Sequence, residues 1–185
     1  MPHSNTQTAR DTIDAYIRAK DENRPYLTSR VFDDAASLKM VVTAGTISFP
    51  PNATGREAIT NILVRDFGQT YENVRTVCLS SPPVPSCTTF SCAWLVGMSE
   101  KENRVVRVGC GRYDWSFQSQ SPRLAKQLTI TIEEMQLLYP EHLLSVMDWL
   151  ARLPYPWCPV RIARESMPVI DGLHSIHQWM SRENA

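Results

Sequence analysis

The chain has 185 residues, a length that fits one compact domain with a little left for an arm or an extra helix. Hydrophobic residues make up 43% of it and charged residues 21%, which excludes a largely disordered protein. Lys plus Arg and Asp plus Glu number 19 each, so the basic excess that is typical of nucleic-acid-binding proteins is missing. The apolar runs are too short to cross a membrane and no apolar export segment opens the chain, so we expect a soluble, cytoplasmic protein.

The cysteines indicate a reducing compartment. There are five, an odd number, and no two of them form a Cys-x-x-Cys pair. Cys78, Cys92 and Cys110 lie in apolar, strand-like stretches, where a free thiol packs as a small hydrophobic group. We therefore favour packing over a disulfide framework or a zinc site.

Two helices are predicted at the start of the chain. Apolar residues recur at three- and four-residue intervals over residues 9–20, and Thr8 with Asp11 forms a capping-box pattern at the beginning of that helix. Pro25 suits the first turn of a second, short helix that extends to Phe32.

A hairpin is predicted next. Asp33 and Asp34 are expected to form a polar turn that leads into a strand at residues 38–43. Gly45 permits a reversal into a second strand at residues 46–49.

The third helix carries the clearest end signals. Thr54 and Glu57 form a capping-box pattern at its start, and Gly68 lies where a C-terminal cap belongs. Four β segments follow, and the short loops that join the last three favour an antiparallel meander. These predicted strands span residues 73–79, 88–98, 104–117 and 124–137.

The strand at residues 88–98 is apolar on one face and partly apolar on the other. The first face carries Phe90, Cys92, Trp94, Val96 and Met98, and the second carries Ser91, Ala93, Leu95 and Gly97. We therefore expect helices to cover one face of the sheet and a partner to cover the other. Gly109 and Gly111 are suitable points for bending the sheet around its helices to enclose a cone-shaped cavity.

The C-terminal part is predicted to be helical. A fourth helix begins at Pro140 and ends at Pro154, and a stiff, proline-rich connector follows at residues 154–159. Its inward face is predicted to hold Leu143, Leu144, Met147, Leu150 and Ala151. Val169, Leu173, Ile176 and Met180 have the spacing of a last amphipathic helix. We expect residues 1–153 to form the main domain and residues 154–185 an extension that packs on it or on a partner protomer.

Three segments carry a family resemblance. Val31-Phe32-Asp33-Asp34-Ala35, Thr54-Gly55-Arg56-Glu57-Ala58-Ile59 and Gly111-Arg112-Tyr113-Asp114 together resemble the SnoaL-like branch of the nuclear transport factor 2-like superfamily. The resemblance covers approximately residues 8–138.

The resemblance implies an α+β cone, in which a curved antiparallel or mixed sheet packs on three N-terminal helices. It also implies a pocket in the mouth of the cone and a homodimer formed through the sheet face. Here a C-terminal helical extension is added beyond Pro140. The chain departs from the family in a second way, because no histidine lies between His3 and His142 to match the mid-sheet histidine of dehydratase-type members.

The candidate catalytic pair is Arg112 with Asp114. Residues two apart on a strand share a face, so a cation and a carboxylate lie together with Cys110 beside them. In an apolar pocket Asp114 could take a proton from the carbon next to a carbonyl, while Arg112 stabilises the enolate. The alternative, which we favour, is an ion pair on the outer sheet face or at a dimer contact.

Further candidates lie on the helices and strands around the expected pocket. Tyr16 could bind a substrate oxygen as a third catalytic group, although a core tyrosine is the commoner alternative. Asp34 could reach the pocket mouth, but a solvated turn is simpler. The residues that could line a ligand pocket are Met40, Phe49, Trp94, Trp115 and Cys110. The alternative for such aromatic and Met residues is the plain core.

Two other polar pairs give weaker evidence for a functional site. Glu133 and Glu134 adjoin on the last strand, so we expect them to face opposite sides of the sheet. His174 and His177 could share a helix face, but two ligands without a third make a weak metal site. We predict neither a metal nor a cofactor.

Three functions remain open from the sequence. One is a cofactor-independent isomerase, dehydratase or cyclase that acts on a small apolar carbonyl or hydroxyl compound. The alternatives are a non-catalytic ligand-binding protein and a structural, oligomer-forming protein of the same fold. The expected partners are a small apolar ligand and a second copy of the chain, without nucleic acid or membrane.

Overall fold

The computed structural model describes residues 6–183. In that range the helices are α1 (Ala9–Asp21), α2 (Arg56–Thr60), α3 (Phe67–Thr70), α4 (Leu143–Arg152), α5 (Val160–Glu165) and α6 (His174–Glu183). The strands are β1 (Phe32–Val42), β2 (Asn52–Thr54), β3 (Tyr71–Cys78), β4 (Thr89–Glu100), β5 (Val106–Phe117) and β6 (Ala125–Leu138). A π-helical segment (Asn61–Asp66) joins α2 to α3, and 3₁₀ helices lie at Pro25–Arg30, Pro140–His142 and Asp171–Leu173.

The six strands form one curved, open sheet in the order β2-β1-β6-β5-β4-β3. The four strands from β3 to β6 are an antiparallel meander, which confirms the sequence prediction. The first strand, β1, pairs with β6 in parallel and makes the sheet mixed. Together with the helices this is the α+β architecture that the sequence predicted.

The sheet is irregular at Gly111, one of the two glycines at which bending was predicted. The pairing of β5 with β6 shifts register between Cys110 and Gly111. A Cβ atom at Gly111 would lie 1.9 Å from the carbonyl oxygen of Thr131, so no other residue fits this bulge without moving the backbone. Glycine at this position therefore follows from the close approach of two strands.

The concave face of the sheet is covered by α1 and by the helical stretch from α2 to α3. Thr8 and Asp11 form the predicted capping box at the start of α1. Tyr16 of α1 packs edge-on against Tyr113 and Trp115 of β5, with ring centroids 5.6 and 5.2 Å away. This layer is the larger of the two apolar cores.

The convex face is covered by the chain's own C-terminal helices. Leu95 of β4 and Val108 of β5 are buried there together with Trp149 of α4 and Trp179 of α6. Both faces of β4 have the composition read from the sequence, but α4 to α6 supply the cover that we expected from a partner.

The connector between α4 and α5 closes the β3 edge of the sheet. The amide of Cys78 donates to the carbonyl of Pro156 (2.6 Å), and the amide of Cys158 donates to the carbonyl of Cys78 (2.9 Å). The Trp157 indole donates to Asp14 of α1 (2.8 Å). The C-terminal layer is therefore bonded to the edge of the sheet and to the first helix.

Two local predictions in the N-terminal half were wrong. Phe32 begins β1 and pairs with Ala125 of β6, so strand pairing replaces the predicted end of the second helix and the turn at Asp33 and Asp34. Residues 46–49 form no strand, because the short partner of β1 is β2.

The predicted capping box of the third helix does not form. Thr54 is a strand residue paired with Ser37, and Gly55, with φ of 90°, is the residue that precedes the helix. The helix also continues past Gly68 to Thr70.

The predicted inward face of α4 is confirmed at Leu150 and in part at Leu143 and Met147, but not at Leu144 and Ala151. Val146, Trp149 and Leu150 face the sheet, whereas Leu144 is 75% exposed.

Because Trp149 fills the second core, we expect Trp149→Ala to lower the free energy of unfolding by about 3–5 kcal/mol. Leu144→Ala on the same helix should change it by less than about 0.5 kcal/mol, and equal urea midpoints for the two variants would contradict this packing.

The bulge predicts a second contrast in stability. Gly111→Ala forces a methyl group against the Thr131 carbonyl and should cost about 3 kcal/mol or more in chemical unfolding. Gly45→Ala is the matched control, because a Cβ there meets nothing within 4 Å and should change stability by less than about 1 kcal/mol. A well-tolerated Gly111→Ala would show that the strands do not need this close approach.

Candidate ligand cavity

A cavity of about 50 Å³ lies between the concave face of the sheet and the helices. Apolar and aromatic side chains dominate its wall. The lining residues are Tyr16, Lys20, Met40, Ile47, Phe49, Leu63, Phe67, Trp94, Val96, Met98, Tyr113, Ile130, Ile132 and Met135. Such a wall is typical of sites for apolar small molecules.

One polar atom of the wall has no partner in the described structure. The indole nitrogen of Trp94 is buried and makes no hydrogen bond. A buried donor left without an acceptor costs about 1–3 kcal/mol, so an acceptor in the cavity would be bound favourably. The Trp115 indole is also unpartnered, but it is not among the lining residues.

The Lys20 ammonium group already has partners. It donates to Thr76 Oγ1 (2.7 Å) and to Asp21 Oδ1 (3.0 Å), and it lies 5.0 Å from the ring centre of Phe67. Asp21 also accepts the amide of Thr76 (2.7 Å) and the hydroxyl of Tyr155 (3.2 Å). This network binds the Lys20 end of the cavity to β3 and to the C-terminal connector.

Two tyrosine hydroxyls complete the polar groups of the wall. Burial raises the pKa of Tyr16 and of Tyr113 well above the ordinary value, and a side-chain hydrogen bond between the two lowers the pKa of Tyr16 only in part. Both are therefore protonated at neutral pH. Because one hydroxyl donates to the other, one proton of the pair is left for a ligand, and neither residue can act as a base there.

The size of the cavity limits what it holds without adjustment. About 50 Å³ admits a few water molecules and is far below the roughly 300–1,000 Å³ of common ligand sites. Met40, Met98 and Met135 lie in the wall, and methionine changes rotamer at little cost. The cavity can therefore widen without movement of the sheet.

Four of the candidate residues meet at this cavity. Tyr16, Met40, Phe49 and Trp94 all line it. Their elements converge because α1 crosses the concave face, onto which β1 and β4 project alternate side chains. Phe49 comes from the irregular loop after β1.

The candidate pair of β5 lies on the opposite face. Asp114 is exposed and accepts a hydrogen bond from Ser91 (2.5 Å), and Arg112 is paired with Glu183 of α6. Cys110 is buried under the C-terminal helices, where burial and the Glu134 carboxylate raise the pKa of its thiol. As predicted, the three share one face, but it is the convex face, away from the cavity.

Asp34 also lies outside the cavity. Its side chain is 84% exposed and forms an ion pair with Arg56 (2.6 Å). Glu133 and Glu134 were expected on opposite faces, and this was wrong. The bulge in β6 puts both on the convex side, where Glu133 binds the Trp179 indole and Glu134 binds Gln136 (2.9 Å).

Sequence reasoning missed Tyr113 and Lys20. Tyr113 stands between the two charged residues that drew attention on β5. The alternation of Tyr113, Trp115 and Phe117 marks a strongly apolar face, and that pattern would have assigned Arg112 and Asp114 to the other side. Lys20 follows Tyr16 by four residues and continues the inward stripe of the first helix, but a lysine near a helix end is ordinarily exposed and was not taken as a site residue.

The described residues also bear on metals, membranes and partners. Residues 6–183 contain no cluster of three or more His, Cys, Asp or Glu side chains that could hold a metal ion. No helix in that range has the length and apolar content to cross a bilayer. The sheet face at Leu95 and Val108, proposed for the homodimer, carries α4 and α6, and the dimer itself stays a prediction.

No family model and no curated protein matches the sequence, whereas solved structures match its fold. An NTF2-like superfamily protein from Salmonella enterica is 16% identical (TM-score 0.53, covering 68% of this chain and 88% of that one). A hexachlorocyclohexane dehydrochlorinase (LinA) Type2 is 11% identical (0.56, 71% and 87%), and a computationally designed 17-OHP binder is 11% identical (0.55, 71% and 100%). At these identities the likeness establishes the fold alone, which is nuclear transport factor 2-like.

The buried tyrosines predict a dependence of stability on pH. The unfolded chain ionises Tyr16 near pH 10, whereas the folded chain keeps it protonated, so stability is full below pH 10 and falls as pH rises further. In Tyr16→Phe the free energy of unfolding should fall by about 1.4 kcal/mol less per pH unit above that point. Urea unfolding between pH 10 and 11.5 measures the slope, with Tyr26→Phe at an exposed ring as the control. A wild-type slope in Tyr16→Phe would contradict the assignment.

Proposed function

We propose that the protein binds a small, largely apolar molecule that carries a hydrogen-bond acceptor, such as a ketone or an ester, and that it does not convert it. The observation that carries this proposal is the Trp94 indole, a buried donor without a partner on a residue of a predominantly apolar wall. A carbonyl oxygen would satisfy it, while the hydrocarbon part of the ligand contacts the apolar side chains.

The chemistry of the wall favours binding over catalysis. Isomerases and dehydratases of carbonyl compounds need a base that removes a proton from carbon. The described wall contains no carboxylate and no imidazole, its tyrosines have raised pKa values, and Lys20 donates to Asp21 and Thr76. Hydrogen-bond donors alone select a ligand without supplying the proton transfer.

The structurally similar proteins include both an enzyme and a binder. One is a dehydrochlorinase and another is a designed binder, so the same fold accommodates a reaction or binding alone. The choice between the two functions therefore rests on the residues of the wall, which support binding.

A matched pair of probes tests the proposal. Cyclohexanone and methylenecyclohexane have nearly the same shape, but only the ketone accepts a hydrogen bond. The indole N–H signals in a ¹H–¹⁵N NMR titration report binding directly. We expect cyclohexanone to shift the Trp94 signal saturably and to bind about five- to tenfold more tightly than methylenecyclohexane, as one hydrogen bond predicts.

Trp94→Phe and Trp115→Phe complete the design. Both substitutions remove an unpartnered indole N–H, but only Trp94 lines the cavity. Trp94→Phe should abolish the preference for the ketone, whereas Trp115→Phe should keep it. Equal affinities of the two probes for the wild-type protein would refute the role of the indole.

The same samples in D₂O test the second half of the proposal, that the protein does not convert its ligand. An enzyme that forms an enolate would exchange the α-protons of cyclohexanone faster than buffer does. We expect no acceleration. Saturable acceleration would refute non-catalytic binding and support the isomerase or dehydratase alternative.

A further inference from the structure

The half-buried part of the cavity wall belongs to one segment, the loop of residues 43–51 between β1 and β2, here called the entrance loop. Twelve of the fourteen described lining residues are buried. The two half-buried ones, Ile47 and Phe49, both belong to this loop. A molecule that travels from solvent to Trp94 therefore meets these two side chains first.

The entrance loop is attached mainly at its ends. At one end the amide of Thr43 donates to the carbonyl of Ile132 (3.0 Å), and at the other the carbonyl of Pro51 accepts from the amide of Met40 (2.8 Å). Between these points the loop has no helix or strand, and a Cβ at Gly45 would meet nothing within 4 Å. Moving the middle of the loop would therefore break no strand pairing.

Thr46 makes the bonds that hold the middle of the loop to the sheet. Its carbonyl accepts from Arg107 Nη1 (2.6 Å), and its hydroxyl donates to the carbonyl of Met135 (2.7 Å), a residue of the cavity wall. Arg107 is itself fixed by Glu100, with Nε and Nη2 at 2.6 and 2.5 Å from Oε1.

The Arg107–Glu100 pair is well shielded from water. The two side chains are only 12% and 16% exposed. Charge-assisted hydrogen bonds in such surroundings are stronger than exposed ones. The shielded pair fixes the guanidinium group, whose short, charge-assisted bond to the Thr46 carbonyl lies at the exposed rim of the loop.

We propose that the entrance loop is the gate of the ligand cavity and that Arg107 holds it closed through the carbonyl of Thr46. The inference rests on the proposed function, since a gate serves a cavity that takes up a ligand. Arg107 is a positioning residue and does not line the cavity. Opening separates Thr46 from Arg107 and Met135 and withdraws the two apolar side chains.

Hydrogen exchange tests the gate without any ligand. The Trp94 indole N–H exchanges with D₂O only when water reaches the cavity, whereas the Trp149 indole, bonded to the carbonyl of Ala163, reports opening of the second core. Arg107→Lys keeps the positive charge but loses the planar guanidinium group that bonds Glu100 and Thr46 at the same time. We expect the Trp94 indole N–H of this variant to exchange about tenfold faster than that of the wild type. Trp149 exchange should be unchanged.

Two further variants keep the test decisive. Thr46→Val removes the bond to Met135 with little change of shape and should accelerate Trp94 exchange severalfold. Arg65→Lys, at an ion pair with the exposed Glu57, should leave both indoles at wild-type rates. Unchanged Trp94 exchange in Arg107→Lys and Thr46→Val, or equal acceleration at Trp94 and Trp149, would overturn the gate.

Ligand kinetics separate the gate from the proposed function. In Arg107→Lys the entry and exit rates of cyclohexanone, from NMR line shapes, should rise together about tenfold, with the dissociation constant within twofold of wild type. A change in only one of the two rates, which would change the dissociation constant, would overturn the gate. Failure of cyclohexanone to bind would overturn the proposed function alone, because the exchange experiment needs no ligand.

Discussion

The structure depends on one constraint, which is that the central strands are apolar on both faces. In β4, Trp94 and Val96 face the concave side while Leu95 and Ala93 face the convex side, and all four are buried. Each square ångström of apolar surface left in water costs about 25 cal/mol, so a sheet of this composition is stable only as the middle of three layers. The N-terminal helices cover one face and the C-terminal helices cover the other.

The two covered faces differ because the sheet is curved. On the convex side, large side chains such as Trp149 and Trp179 fill the second core. On the concave side, straight helices cross a bent surface that is made possible by the bulge at Gly111, and a hollow remains beneath Tyr16. The cavity is thus a consequence of curvature. Its polarity follows from the alternation of β5, which directs its charged side chains to the other face.

Hydrogen bonds and an ion pair fix the positions of the layers relative to one another, which apolar contacts alone would leave less well defined. Asp21 at the end of α1 accepts hydrogen bonds from β3 and from Tyr155 of the connector, and it holds the Lys20 ammonium beside the cavity. The side chains of Lys20 and Asp21 are only 8% and 3% exposed, so removing either partner would leave the other buried without its ion pair. The same pairing occupies the Lys20 ammonium group beside the cavity.

Local patterns in the sequence determined the capping box at Thr8, the four-strand meander and the composition of both faces of β4, because capping and alternation act over a few residues. They also determined that Cys110, Arg112 and Asp114 share a face. Only the tertiary structure decided that this face is the convex one, since alternation defines two faces without saying which layer covers each. It likewise decided that the chain covers its own second face, that β2 replaces the strand predicted at residues 46–49, and that Lys20 and Tyr113 line one cavity with Trp94. Those outcomes depend on contacts between residues far apart in the chain, which no local pattern records.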